Sequence, residues 1–197
     1  MFCLDTTSPR SMLNDVLRED GQIGNHSHSG LVHEATVIDD DEAFVSRVAP
    51  FLRDGFDEGP TIAVLNRRHW ALLREELGAD ASRVPFTDCN DFYTRPIDAL
   101  ASYDAILRRL RAEGCTSVRV AAEIPLGATR SGWGDWISYE AIVNRAFAHR
   151  PANILCVYDT NTAPDTVIDA VWRTHPRVVT EGDASGPHYH DPAEVIA

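Results

Sequence analysis

Ala152-Asn153-Ile154-Leu155-Cys156-Val157-Tyr158 is the most apolar run in the chain, and Asp159 closes it. A continuous apolar stretch of this length, as opposed to an alternating one, suits a strand covered on both faces of a sheet. Upstream of it, strand-like runs occupy residues 32–38, 61–65, 84–87 and 117–124, and residues 178–180 offer a final edge strand. Helical spacing of apolar residues predicts helices between them, over residues 42–56, 67–77, 96–112, 135–148 and 164–174. Pro50 should bend or interrupt the first of these, and Gly78 and Gly114 should stop the second and third. This alternation predicts an α/β fold of three layers, a mostly parallel sheet with helices on both faces and right-handed crossovers.

Residues 1–30 read as a flexible N-terminal arm with one short amphipathic stretch, Met12 to Leu17. Residues 31–182 read as one folded domain. Residues 183–197 read as a flexible tail, because Gly186-Pro187 and Asp191-Pro192 break regular structure.

The 197 residues carry 18 basic and 30 acidic side chains, a formal net charge of −12. Such a surface repels nucleic-acid phosphates and anionic lipid, so it points to a small molecule or a neutral or basic protein as partner. All the basic residues are arginine. Lysine Schiff-base chemistry and a phosphate-loop lysine are therefore excluded. The segment after the first strand, Asp39-Asp40-Asp41-Glu42, is acidic and hostile to phosphate. Its ordinary reading is a solvated turn or a helix start. No run is long enough to cross a membrane and no secretory pattern opens the chain, so the expected location is the cytoplasm. Cys3, Cys89, Cys115 and Cys156 form no C-x-x-C pair and read as reduced structural thiols.

In parallel sheets ligands sit beyond the carboxyl ends of the strands. The residues there include Asn66, Glu123 and Asp159. The two carboxylates either bind a cation, serve as acid and base, or orient a ligand; alternatively they cap helices or pair with arginine. Trp133 and Trp136 flank a short loop, and Glu140 and Asn144 lie one helical turn apart. The indoles either wall a ligand pocket or anchor the loop to the core. His33-Glu34 is either a base or half a metal site, or holds backbone in the core, and His175 follows a helix end. His26-x-His28 and His188-x-His190 have chelating spacing but lie on no predicted rigid element. No nucleophile-elbow, zincin or glycine-rich phosphate motif occurs.

His33-Glu34-Ala35, Glu123-Ile124-Pro125, Tyr139-Glu140 with Asn144, Cys156-Val157-Tyr158-Asp159 and Thr174-His175-Pro176, in this order and spacing, resemble the MEDS family, the methanogen/methylotroph DcmR sensory domain. The resemblance covers about residues 31–180. It implies a RecA-like fold, akin to the clock-type ATPases, with a degenerate phosphate loop, and a role in sensing small, apolar molecules. It also implies regulation through a DNA-binding domain or a histidine-kinase-type ATPase acting on sigma-factor signalling. The family's recurrent positions fall on His33, Glu34, Glu123, Glu140, Asn144, Tyr158, Asp159 and His175.

The expected function is a stand-alone sensory domain that binds a small molecule at the carboxyl edge of the sheet and signals through a protein partner. Its expected ligand-binding set is His33, Glu34, Asn66, Glu123, Trp133, Trp136, Glu140, Asn144, Tyr158, Asp159 and His175, with no cofactor, metal or catalytic residue assigned. Too few residues follow Thr180 for an effector domain, so output is expected from a separate kinase- or anti-sigma-type protein; a homodimer is left open. Two other readings stand beside it: a small enzyme using Glu123, Asp159 and His33 with a divalent metal, and a pure protein-interaction scaffold.

Overall fold

The computed structural model describes residues 30–126, 132–180 and 189–196. Met12 to Leu17, His26, His28, His188 and Gly186-Pro187 lie outside them.

Six parallel strands form one sheet: β1 (Val32–Ile38), β2 (Thr61–Leu65), β3 (Phe86–Asp88), β4 (Val118–Glu123), β5 (Ala152–Asp159) and β6 (Arg177–Val179). Their spatial order is β3-β2-β4-β5-β1-β6. The apolar run that opened the sequence reading is thus a central strand, paired with β4 on one side and β1 on the other.

The helices are α1 (Asp41–Asp54), α2 (Arg67–Leu77), the short α3 (Cys89–Phe92), α4 (Pro96–Ala112), α5 (Trp133–Ala146), α6 (Asp165–Thr174) and the short α7 (Pro192–Ile196). Among the described residues no helix is long and apolar enough to cross a membrane. Local chemistry explains the helix ends. The Asp40 carboxylate accepts from the Ala43 amide at 2.7 Å, and Asp41 and Glu42 sit in the first turn, so the acidic run is a helix start. Asn66 caps α2 in the same way, through the His69 amide at 2.8 Å. Gly78 and Gly114 adopt φ of 57° and 85°, which only glycine does without strain, and they end α2 and the turn after α4.

The structure departs from expectation in four places. α1 runs through Pro50 without interruption. Residues 78–83 form a 3₁₀ helix, and with Pro85 unable to donate, the third strand starts at Phe86 and not at residue 84. α5 begins at Trp133, so both indoles ride on its first turn instead of on a loop. Asp191-Pro192 opens a helix, with proline at its first position, where a missing N–H costs nothing.

Two cores fill the layers. One packs Phe44, Val48 and Leu52 of α1 and Leu73 and Leu77 of α2 against Ala63, Leu65, Ala121, Leu155 and Val157. The other packs Leu100, Tyr103 and Leu107 of α4, Trp136, Tyr139 and Val143 of α5, and Val167 and Val171 of α6 against Val64, Val120, Ala122, Ile154, Cys156 and Tyr158. Strand side chains alternate between faces. Even-numbered residues of β4 and β5 therefore look toward α4, α5 and α6, and odd-numbered ones toward α1 and α2.

Candidate functional site

That alternation separates residues the sequence reading placed together. On the α1/α2 face, Glu123 ends β4 beside Asn66 at the end of β2, where the connections leaving the two strands run in opposite directions. Both Glu123 oxygens accept from Asn66 Nδ2 (2.8 and 3.0 Å), and Oε2 also accepts from His69 Nδ1 at 2.8 Å. His69 is buried and stacks on Phe44, ring centroids 4.1 Å apart. Glu123 is therefore answered by a helix cap and an imidazole. His69 escaped the sequence reading, although Asn66-x-x-His69 at a helix start carries the signal.

Asp159 lies on the same face. Its Oδ1 accepts from the Asn161 amide and side chain at 2.9 Å each, and Asn161 in turn donates to the Asp39 carbonyl. With Asp39, Asp40, Asp41, Arg68 and His69 it lines an open acidic cleft in which Arg68 pairs with Asp41 at 2.6 Å. Glu34 points to this side too, and Arg177, opposite it on β6, binds it at 2.8 Å.

The α5/α6 face holds the remaining residues. A narrow cleft of about 20 Å³, room for about one water molecule, is lined by Ile124, Leu126, Trp133, Trp136, Val167 and Val171, with Glu140, Tyr158 and Thr174 supplying its polar groups. Trp133 is partly buried, whereas Trp136 is 2 % exposed and packs edge-on to Tyr93 and Tyr139, so it is a wall of the core and not a lid. Glu123 and Asp159 do not line this cleft. The expected convergence of Glu123, Asp159 and the indoles is thus not found: successive strand residues face opposite ways.

Beneath the cleft lies a cluster of polar side chains, buried except for the half-buried Asn144: His33 of β1, Glu140 and Asn144 of α5, Cys156 and Tyr158 of β5, and His175 just past α6. Glu140 is its centre. Tyr158 donates to Oε1 at 2.7 Å, and Oε2 lies 3.2 Å from His33 Nε2, 3.6 Å from His175 Nε2 and 4.0 Å from Cys156 Sγ. Asn144 Nδ2 donates to the carbonyls of Thr174 (2.6 Å) and Glu140 (3.2 Å). Its Oδ1 therefore faces His33 Nδ1 at 2.9 Å, which fixes a proton on that nitrogen. His175 Nδ1 lies 3.1 Å from the Val171 carbonyl, so it too is the protonated nitrogen, and His175 Nε2 is buried with no hydrogen-bond partner among the described residues.

The electrostatics follow from this geometry. Burial acts to raise the Glu140 carboxyl, but His33 and the Tyr158 hydroxyl outweigh it and hold it below the usual carboxylate range. Burial, then the neighbouring His33, push the His175 imidazole down to about 3, so it is neutral. Burial and the Glu140 charge push the Cys156 thiol and the Tyr158 hydroxyl well up. The cluster therefore contains a desolvated carboxylate, and its countercharge must come from a proton on His33 Nε2 or from a bound cation. Sequence reading had singled out His33, Glu140, Asn144, Tyr158 and His175, and the fold brings all five together. It had left Cys156 as a structural thiol.

No curated protein matches the sequence. The family model described as MEDS, the MEthanogen/methylotroph, DcmR Sensory domain, matches residues 32–176, from the first residue of β1 to the one before β6. The match takes in the whole sheet apart from that edge strand, the indole-lined cleft and every member of the buried cluster, and the chain belongs to the MEDS sensory-domain family.

Proposed function

We propose that the chain senses a small, mainly apolar molecule in the cleft between β4, β5, α5 and α6 and passes its occupancy to a protein partner. One observation carries this reading: the cleft has apolar walls and a floor made by Glu140 and Tyr158, which are already hydrogen-bonded to each other. Pockets that bind small molecules combine an apolar lining with a few placed polar groups in this way. A neutral ligand with one hydroxyl or carbonyl would have to part α5 from α6 to enter, would then bury its carbon skeleton against Trp133, Ile124 and Val167, and would address the floor with its polar atom. Both α5 and α6 line the cleft, and α7 packs on α5, so an occupant that parts them changes the surface offered to a partner. The net charge of −12 favours a partner surface that is neutral or basic. The strand-end residues Asn66, Glu123, Asp159 and Glu34 have structural partners of their own and play no part in this reading.

Indole emission gives the test. Short-chain alcohols, ketones and aldehydes are titrated into the wild-type chain and into Trp133→Ala. The expected result is a saturable change in emission and a rise in melting temperature for one class, lost or weakened at least tenfold in the variant. A full panel that moves neither emission nor melting temperature refutes the sensing reading.

A further inference from the structure

We infer that His33, Glu140, Cys156 and His175 form a binding site for one divalent transition-metal ion of the zinc type, buried beneath the cleft. The four donor atoms all lie within 4.8 Å of one another, and all four residues are buried. Metal–ligand bonds of ~2.0–2.3 Å place the donors of a tetrahedral site ~3.3–3.8 Å apart. The separations are 3.2 Å for His33 Nε2 to Glu140 Oε2, 3.3 Å for His33 Nε2 to Cys156 Sγ, 3.6 Å for His175 Nε2 to Glu140 Oε2 and 4.0 Å for Cys156 Sγ to Glu140 Oε2. Little movement would close these atoms around an ion.

The hydrogen bonds outside the cluster point the same way. His33 donates through Nδ1 to Asn144, and His175 through Nδ1 to the Val171 carbonyl. Both rings therefore turn their Nε2 lone pairs toward the Glu140 carboxylate. Metal-binding histidines are held in this manner, with the remote N–H given to a carbonyl or carboxamide oxygen. A proton on His33 Nε2 would answer Glu140 but would leave His175 Nε2 as it is, buried, without a hydrogen-bond partner among the described residues and aimed at an anion. A cation satisfies both imidazoles at once.

Charge also balances. Two neutral imidazoles, one carboxylate and one thiolate around a divalent ion sum to zero, the cheapest state for a buried site. On binding, the Cys156 S–H bond breaks, its electron pair goes to the metal and its proton to solvent. Imidazole with thiolate selects zinc-like ions over magnesium or calcium, which prefer oxygen donors throughout. Glu140 and Tyr158 belong to the cluster and also line the cleft, which gives the ion a way in.

The site does not require a sensed molecule, so its test uses metal alone. Untagged protein is stripped with chelator and titrated with Co²⁺, then back-titrated with Zn²⁺. One cobalt per chain is expected, with a thiolate-to-cobalt charge-transfer band and tetrahedral ligand-field bands that zinc abolishes. Cys156→Ser, checked for folding by circular dichroism, should keep the protein intact and lose the charge-transfer band. Asn144→Leu, which removes the hydrogen bond to His33, should weaken cobalt binding ~10–100-fold while the band persists at saturation. Absence of the band in the wild-type chain, or its persistence in Cys156→Ser through Cys3, Cys89 or Cys115, overturns the assignment. The cluster would then be a protonated His33–Glu140 pair.

Discussion

Glu123 and Glu140 are both placed by the sheet and both lie near imidazoles, yet the two faces of the sheet treat them differently. On the α1/α2 face, Glu123, itself partly exposed at the strand end, meets the Asn66 carboxamide and the buried His69 Nδ1, groups free to donate. On the α5/α6 face, Glu140 is 3 % exposed and meets two imidazoles whose available protons are already committed elsewhere. The first arrangement is complete as it stands. The second is complete only with an added proton or cation. A motif of glutamate beside histidine therefore says little until the other nitrogen of each ring is accounted for.

The sharpest break in this comparison comes from Glu140→Ala. Removing the anion leaves the Tyr158 hydroxyl without its acceptor and takes the charge out of the centre of the cluster, and disrupting a buried charged cluster costs about 3–5 kcal/mol. Urea unfolding should show a loss of that size with an unchanged slope. A loss below that for the corresponding Glu123 variant would contradict the assignment of Glu140 as the more tightly coupled group.

The acid limb of stability should be steep and should come from the same face. His175 is neutral when folded, with its imidazole depressed to about 3, and regains an ordinary value when unfolded. Between those values the unfolded chain binds the extra proton, so stability rises with pH through that window and is fully present above about 6.5. Glu140, held low in the fold, adds loss in the same direction as pH falls below the ordinary carboxylate range. Melting temperatures of chelator-treated protein should therefore drop steadily as pH falls from 6.5 toward 4, and His175→Gln should flatten that slope. An unaltered slope in the variant would assign the acid limb to other groups.

How far the sequence could be read depends on which physical signal each feature uses. The run ending at Asp159, the strand Thr61–Leu65 and the helices Arg67–Leu77 and Pro96–Ala112 were legible because local chemistry sets them: apolar runs, an asparagine cap, glycines at positive φ. The cluster was half legible. His33, Glu140, Asn144, Tyr158 and His175 were identifiable from helical spacing, from their places on strands or at element ends and, as a set, from the family resemblance. Their distance from Glu123 and Asp159 was not, because Ala152–Asp159 is apolar on both faces and hides its own alternation. Which face each helix covers follows from the strand order β3-β2-β4-β5-β1-β6, a long-range property that no local pattern encodes. Cys156 was set aside because a lone cysteine in an apolar strand looks structural until histidines from β1 and the end of α6 arrive beside it.

Glu123→Gln should have an intermediate effect. Glutamine keeps the shape and can still accept from Asn66, but the charge-assisted bonds to Asn66 and His69 weaken, a change of about 1–2 kcal/mol. Cobalt binding and indole emission should be unchanged, since Glu123 lines neither the cleft nor the cluster. A Glu123 variant that alters cobalt affinity would connect two regions that the alternation of strand side chains keeps apart.

The smallest effect belongs to Glu34, the sequence neighbour of His33 that faces the other way. It is paired across the strands with Arg177 at 2.8 Å, and the Arg177 side chain is 46 % exposed. Water and salt screen such a pair, so Glu34→Gln should cost only ~0.2–1 kcal/mol, and the difference from wild type should shrink as salt is raised. Placed beside Glu140→Ala, this variant isolates what one step along β1 does: the side chain at 33 enters the buried cluster, and the side chain at 34 enters an edge ion pair. A loss from Glu34→Gln comparable to that of Glu140→Ala, or insensitive to salt, would mean that β1 does not sort its residues between the faces in this way.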